Sequence, residues 1–248
     1  MLKLTSLFLL LIFANIAHSQ TPKVISSDRP GLSDGPDVVG TAVFQLQSGI
    51  DFQDNGASGS DTVVNSNVLR YGLSEKVELR ANFSLLSVES PGSDQQGIDD
   101  VAVGGRVNLI DQTDGWVPAL GLQTLLLLPI EGTFTKSDAR PLVLLSANFQ
   151  AHDSGVITTN AGFSYDGISP KVQYNYTLTY TYSLNPKWAV FIEEYGNIVN
   201  DNHLSHVDTG LAYTFNKNTI FDLGIGTDIN SYVDQTFVSL GVSWRAIP

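Results

Sequence analysis

Apolar and polar residues alternate with a period of two through most of this 248-residue chain. The pattern is clearest over residues 172–184. Val172, Tyr174, Tyr176, Leu178, Tyr180, Tyr182 and Leu184 fall on one side; Gln173, Asn175, Thr177, Thr179, Thr181 and Ser183 fall on the other. Successive strand side chains point to opposite faces, so this segment has one apolar face and one wet face. Val77, Leu79, Ala81, Phe83 and Leu85 alternate with Glu78, Arg80, Asn82 and Ser84 in the same way. So do Val207, Thr209, Leu211, Tyr213 and Phe215 with His206, Asp208, Gly210, Ala212 and Thr214, and Val238, Leu240, Val242 and Trp244 with Phe237, Ser239, Gly241 and Ser243. No stretch after the N-terminal leader sustains a 3.6-residue period, so no helix is predicted there.

The alternation predicts strands at 40–52, 62–72, 77–88, 99–110, 116–128, 141–151, 156–165, 171–183, 188–196, 205–215, 219–229 and 236–246. Most have roughly the 9–11 residues that a tilted strand needs to cross a bilayer. Globular strands are shorter, with a mode of about 5–6. The weakest alternation lies at 116–128, where Leu125 to Leu128 are all apolar, and at 188–196. Ten or fourteen strands therefore remain alternatives to about twelve. Short connections at 73–76, 111–115, 152–155, 185–187 and 216–218 are rich in Asn, Asp, Gly, Pro and Ser. Between them fall links predicted to be longer, at 53–61, 89–98, 129–140, 166–170, 197–204 and 230–235. Short turns at one end and longer loops at the other is the arrangement of outer-membrane barrels.

The first twenty residues change the picture by fixing a route. Lys3 precedes an apolar run over residues 7–16, and Ala17-His18-Ser19 is a small-x-small site. This predicts a signal peptide over 1–19, cleaved near Ser19. Residues 20–39, with Pro22, Pro30, Pro36, Gly31 and Gly35, fit no strand. They are expected to form a periplasmic lead-in that tucks into the mouth of a barrel formed by 40–248.

Composition narrows the class. Charged residues are 15% of the chain against about 25% in soluble domains, while hydrophobic residues are 42%. Uncharged polar residues fill the gap, as strands with one greasy and one wet face require. The net charge of −12 argues against nucleic acid as a partner. With no cysteine, disulfides, cysteine-zinc sites and thiol nucleophiles are excluded. No cofactor is expected.

A family resemblance rests on particular stretches. Ser27-Asp28-Arg29-Pro30, then Ser33-Asp34-Gly35-Pro36, then Phe44-Gln45-Leu46-Gln47-Ser48-Gly49 resembles the opening of outer-membrane barrels in the phenol-degradation MetA-pathway family. The stretches 69–80, 99–105 and 191–196 resemble later hairpins of that family. The likeness departs at Ser27 and Gln47, where the family usually has Thr and Glu, and at the C-terminus, where Trp244 lies four residues from the end. The resemblance implies an outer-membrane, transporter-like barrel and no particular solute.

The expected fold is all-β, a transmembrane antiparallel up-and-down barrel. The alternative is a soluble two-sheet sandwich, whose inner faces also alternate. Strand length, loop sorting and low charge favour the barrel. Arg70, Glu78, Arg80, Asp100, Arg106, Glu193, His206, Asp208 and Asp222 are expected to line the lumen. Tyr174, Tyr182, Trp188, Tyr213 and Trp244 are expected at the membrane interface, where amphipathic rings concentrate. Expected partners are outer-membrane lipid and lipopolysaccharide, the barrel assembly machinery, and a small solute of unknown identity. The function expected is passage of small solutes through a narrow polar lumen. The alternatives are a structural or adhesion barrel with a blocked lumen, and a lipid hydrolase using Ser205, His206 and Asp208. Strand neighbours two apart are common, so no catalytic residue is expected. The spacing of His152, His203 and His206 gives no metal pair. Loop acids such as Asp54, Asp201 and Asp234 suit a solvated surface. Gly104, Gly105, Gly224, Gly226 and Gly241 are expected to permit bending where the sheet closes.

Overall fold

The computed structural model describes residues 24–113, 117–135, 138–165, 171–230 and 234–247. The expected signal peptide at 1–19 lies outside the described residues. Twelve strands follow in order: β1 (Phe44–Asn55), β2 (Ser60–Gly72), β3 (Val77–Ser90), β4 (Ser93–Ile110), β5 (Ala119–Leu127), β6 (Arg140–His152), β7 (Gly155–Tyr165), β8 (Val172–Asn185), β9 (Trp188–Val199), β10 (Asn202–Asn216), β11 (Thr219–Asp228) and β12 (Gln235–Ala246). Each pairs antiparallel with its sequence neighbours, and β12 closes on β1 from Phe44↔Ala246 to Asn55↔Gln235. A single closed sheet replaces the sandwich alternative.

Every predicted strand is present, but three links predicted to be longer are tight turns. β1 and β2 run on to a four-residue turn at 56–59. β3 and β4 run on to a turn at Pro91 and Gly92, and β9 and β10 to a turn at Asn200 and Asp201. Asn200 and Asp201 have φ of 48° and 66°. These left-handed values suit the tight hairpin turn whose twist matches that of the strands. The stretches 89–98 and 197–204 pair without a sustained apolar face. Polar side chains hide a strand from a hydrophobic pattern without breaking its ladder. Loop sorting is correspondingly weaker than expected. β5 and β6, β7 and β8, and β11 and β12 are joined at their ends away from the chain termini, by 12, 6 and 6 residues, but β4 and β5 are joined at their terminal ends by eight.

The barrel inverts the globular distribution of residues. Its largest fully buried side chains are Arg106, Arg245, Gln45, Gln47, Glu78 and Glu193, while Leu178, Ile192, Ile225 and Leu240 are half exposed on the outside. Buried charge and exposed aliphatic surface are each unusual in a soluble protein. Together they are what a lipid-facing sheet with a polar interior requires. Near the terminal end the outer face carries Phe44, Tyr71, Tyr182, Trp188, Phe215, Phe221 and Trp244, all exposed. Trp188 packs on Tyr213 with ring centroids 4.6 Å apart. Tyr174 lies on the outer face near the opposite end, 60% exposed.

Candidate functional site

Residues 24–43 do not remain at the mouth of the barrel. They enter it and cross the interior as a strap. The strap is anchored at the terminal end by Ile25, whose N–H donates to the Lys217 carbonyl at 3.0 Å. It crosses to the β7 and β9 wall, then returns along β4 and β3. There the Val39 N–H donates to Glu78 at 2.9 Å before β1 begins. Its prolines and glycines let it run as irregular backbone. Its polar groups must therefore find partners on the wall, since buried polar groups are costly when unpaired.

The partners come from the wet faces of the strands. Arg70, Arg80 and Arg106 project inward from β2, β3 and β4 and converge on the strap. Asp28 accepts from Arg70 and Arg80 at 3.1 Å each and from Arg106 at 3.0 Å. Asp34 accepts from Arg80, Arg106 and Gln123. Glu78 takes both Arg70 Nε and Nη2 at 2.9 Å, a two-pronged contact. Three guanidinium groups thus meet three carboxylates. Burial alone would raise the Asp28 carboxyl, but Arg106, Arg70 and Arg80 outweigh it and hold it well below the usual carboxylate range.

Two further contacts fix the strap on the opposite wall. Arg29 donates to Asp222 at 3.1 Å and to Ser239 at 2.9 Å. Its guanidinium lies flat against the wall at Gly49 and Gly241, where an added Cβ would fall 2.2 and 2.3 Å from it. Gly241 therefore makes room for Arg29, and the expected bending role is not needed to explain it. Glu193 accepts the backbone N–H groups of Leu32 and Ser33 at 2.6 and 2.9 Å, and the Thr179 hydroxyl. Asn160 closes the set, accepting from the Asp34 N–H and donating to the Asp34 carbonyl.

The structure thus brings Arg70, Glu78, Arg80, Arg106, Glu193 and Asp222 onto the strap. Asp208 is buried on the inner face, opposite Glu193 in the ladder. His206 pairs with Asp228 and stacks on Tyr195, 5.0 Å between centroids. Asp100 pairs with Arg140. Asp28, Arg29, Asp34, Arg140, Gln123 and Asn160 were not among the residues singled out from the sequence. The Ser27–Pro30 and Ser33–Pro36 stretches were the signal for Asp28, Arg29 and Asp34; nothing local pointed to the others.

Open space remains on both sides of the strap. Towards the terminal end lies a cavity of about 230 Å³ against Asp28, Arg29, Thr181 and Thr214. Towards the other end lie cavities of about 450 Å³, beside Leu32 and Asn175, and about 100 Å³, beside Arg29 and Gln235.

The hydrolase alternative does not fit this geometry. Ser205 points outward and is buried, donating to Glu194 at 3.0 Å. Asp208 and His206 point inward, on the other side of the sheet. The neighbours of Ser205 on the outer face are instead Tyr176, Glu194 and His203, with Tyr176 Oη 2.7 Å from His203 Nε2. Among the described residues no three His, Asp or Glu side chains gather as metal ligands.

A closed twelve-stranded antiparallel barrel with an internal strap defines a class of membrane-type β-barrels. Within it, the chain belongs to the family described as "Putative MetA-pathway of phenol degradation", which it matches over residues 27–246. No curated protein matches it. Among solved structures it is similar to an outer membrane channel from Pseudomonas putida F1, at 14% identity over 89% of this chain and 100% of the other, with a TM-score of 0.66. It is also similar to the KdgM porin in complex with disordered oligogalacturonate, at 11% identity over 82% and 99% of the two chains, TM-score 0.60. The NanC porin matches at 11% identity over 80% and 98%, TM-score 0.57. These likenesses show a shared barrel fold.

Proposed function

We propose that this chain is an outer-membrane channel through which small solutes pass passively, with the strap of residues 24–43 as its constriction. The observation that carries this reading is an interior that is polar yet incompletely filled. Cavities lie above and below a strap held along its middle by ion pairs and hydrogen bonds, with apolar anchorage from Ile25, Pro36, Val39 and Val43 towards its ends. Polar contacts can be replaced by contacts with water when a segment shifts, which an interdigitated apolar core does not offer. Eight-stranded barrels are filled by side chains, and sixteen-stranded ones enclose a wide aqueous pore. Twelve strands leave room for a narrow path once the strap shifts. The similar channel and porins support the same reading. On it, residues 1–19 are removed, the terminal end faces the periplasm, and lipid and lipopolysaccharide cover the outer face.

The test is planar-bilayer recording of the mature protein beside the double variant Asp28→Asn, Arg29→Gln. Asp28→Asn keeps side-chain shape and Arg29→Gln shortens the side chain to a neutral amide; together they remove the charges that anchor the strap on opposite walls. The wild type should show small, interrupted conductance, and the variant one several-fold larger. A second reading, a structural barrel sealed by its strap, draws on the same occupied lumen. A tight seal from both proteins would favour it and end the channel proposal.

A further inference from the structure

One part of the inner wall breaks the rule that the interior is polar. Leu125 on β5 and Leu142 and Leu144 on β6 face inward onto the 450 Å³ cavity. Leu145, their outward neighbour, is 46% exposed, so the wall here is apolar on both sides. The outer face has lipid to explain it; on the inner face Leu125 and Leu144 are largely covered and Leu142 is partly open to the cavity. Leu32 adds to the same surface. Its N–H is fixed by Glu193, yet its side chain is 58% exposed inside the barrel, lining this cavity and covering little. The strap holds a leucine up to open space. Apolar surface facing enclosed water is unfavourable, and binding pockets characteristically combine such surface with a few placed polar groups.

Those polar groups stand in the rest of the cavity wall. Asn197 on β9, Gln173 on β8 and Asn82 on β3 line it, and Asn82 Oδ1 is buried with no hydrogen-bond partner among the described residues, whereas the Asn160 and Asn175 amides are already engaged. The ionic groups at its edge already have partners, Asp34 on Arg80 and Arg106 and His206 on Asp228. No lone charge is offered to a solute. We propose that this cavity is a binding site for small, uncharged, amphipathic molecules. A ring or short alkyl face would lie on Leu32 and Leu142, backed by Leu125 and Leu144, with hydroxyl or carbonyl groups turned to the amides of Asn82, Gln173 and Asn197. The site's role as an entry station rests on the channel reading; binding itself does not.

The experiment measures equilibrium binding to the protein in nanodiscs, against empty nanodiscs. Phenyl β-glucoside is the amphipathic probe and glucose the wholly polar control. Phenyl β-glucoside should bind at least tenfold more tightly than glucose. Leu32→Asn, a change at an exposed tip that leaves the wall intact, should weaken phenyl β-glucoside about tenfold, equivalent to about 1.4 kcal/mol. The pair Leu142→Asn, Leu144→Asn should weaken it further, with heat-modifiable gel migration as the check that this variant folds. Equal affinity for the two sugars overturns the proposal, as does tight binding that Leu32→Asn leaves unchanged. The two readings separate cleanly. Selective binding without conductance would remove the channel and keep the site; conductance without selective binding would do the reverse.

Discussion

Asp28 is where the sequence and the interior meet most closely. Its carboxylate lies among three guanidinium groups, partly covered, and those arginines hold it ionised well below the usual carboxylate range despite its burial. A depressed value in the docked state makes a defined contribution to docking. The contribution is fully present above the free carboxylate's value of about 3.9 and is lost as pH falls from there towards the docked value. Asp28→Asn removes it at every pH. Breaking one partner out of a buried ion cluster costs on the order of 3–5 kcal/mol, and the strap can escape that cost by undocking. Conductance of Asp28→Asn should therefore exceed wild type at pH 7 and by the same ratio down to about pH 4. Below that the two should converge, because a protonated aspartate resembles asparagine. A gap that widens on acidification would show that Asp28 does not anchor the strap. Arg70, Glu78 and Arg80 were legible as inward residues because alternation assigns each a face. Their partner was not, since Asp28 lies 42 and 52 residues from Arg70 and Arg80, beyond any local pattern.

Alternation reports a contrast of solvents across a strand, and it is readable only where that contrast exists. β8 is the clear case: Tyr176, Leu178 and Tyr180 face out while Thr177, Thr179 and Thr181 face in. β4 extends from Ser93, six residues before its predicted start, through Asp94, Gln95 and Gln96. Polar side chains on both faces there pair as well as any others and leave no signal. β5 is the opposite failure. Leu125 faces the cavity and Leu126 the outside, so both faces are apolar and the alternation vanishes. The face assignment can be tested on β12. Leu240 lies outward, half exposed, between Ile50 and Leu223 on the neighbouring strands. An arginine there would sit in hydrocarbon, so Leu240→Arg should destabilise the barrel by roughly 2–4 kcal/mol in urea unfolding from lipid vesicles. Thr181→Arg, facing the cavity at the terminal end, should cost far less. Similar losses at both positions would mean that the outer face does not meet lipid.

Across the whole molecule, stability depends on closure. Eleven of the twelve strand pairs join neighbours in sequence, but β1 and β12 meet only when the chain has wrapped fully round. That seam supplies a twelve-residue ladder, and without it β1 and β12 would each present a row of unpaired N–H and C=O groups to lipid. Hydrocarbon offers those groups no partner, and each costs several kcal/mol. The strap links to the same region, since Ser27 reaches Ser243 on β12 and Arg29 lies over Gly49 and Gly241 on the two seam strands. Closing the barrel and seating the strap are therefore coupled. The full chain should partition with the outer membrane and run as a compact species on unheated gels. Removing Gln235–Ala246 should abolish that species outright, because no smaller closed sheet is available to a chain whose inward and outward faces are already set by register. A truncated protein that still runs as the compact form would show that the seam is not what holds the barrel shut. A full-length protein monodisperse without detergent would show that its exposed leucines and tyrosines never needed lipid.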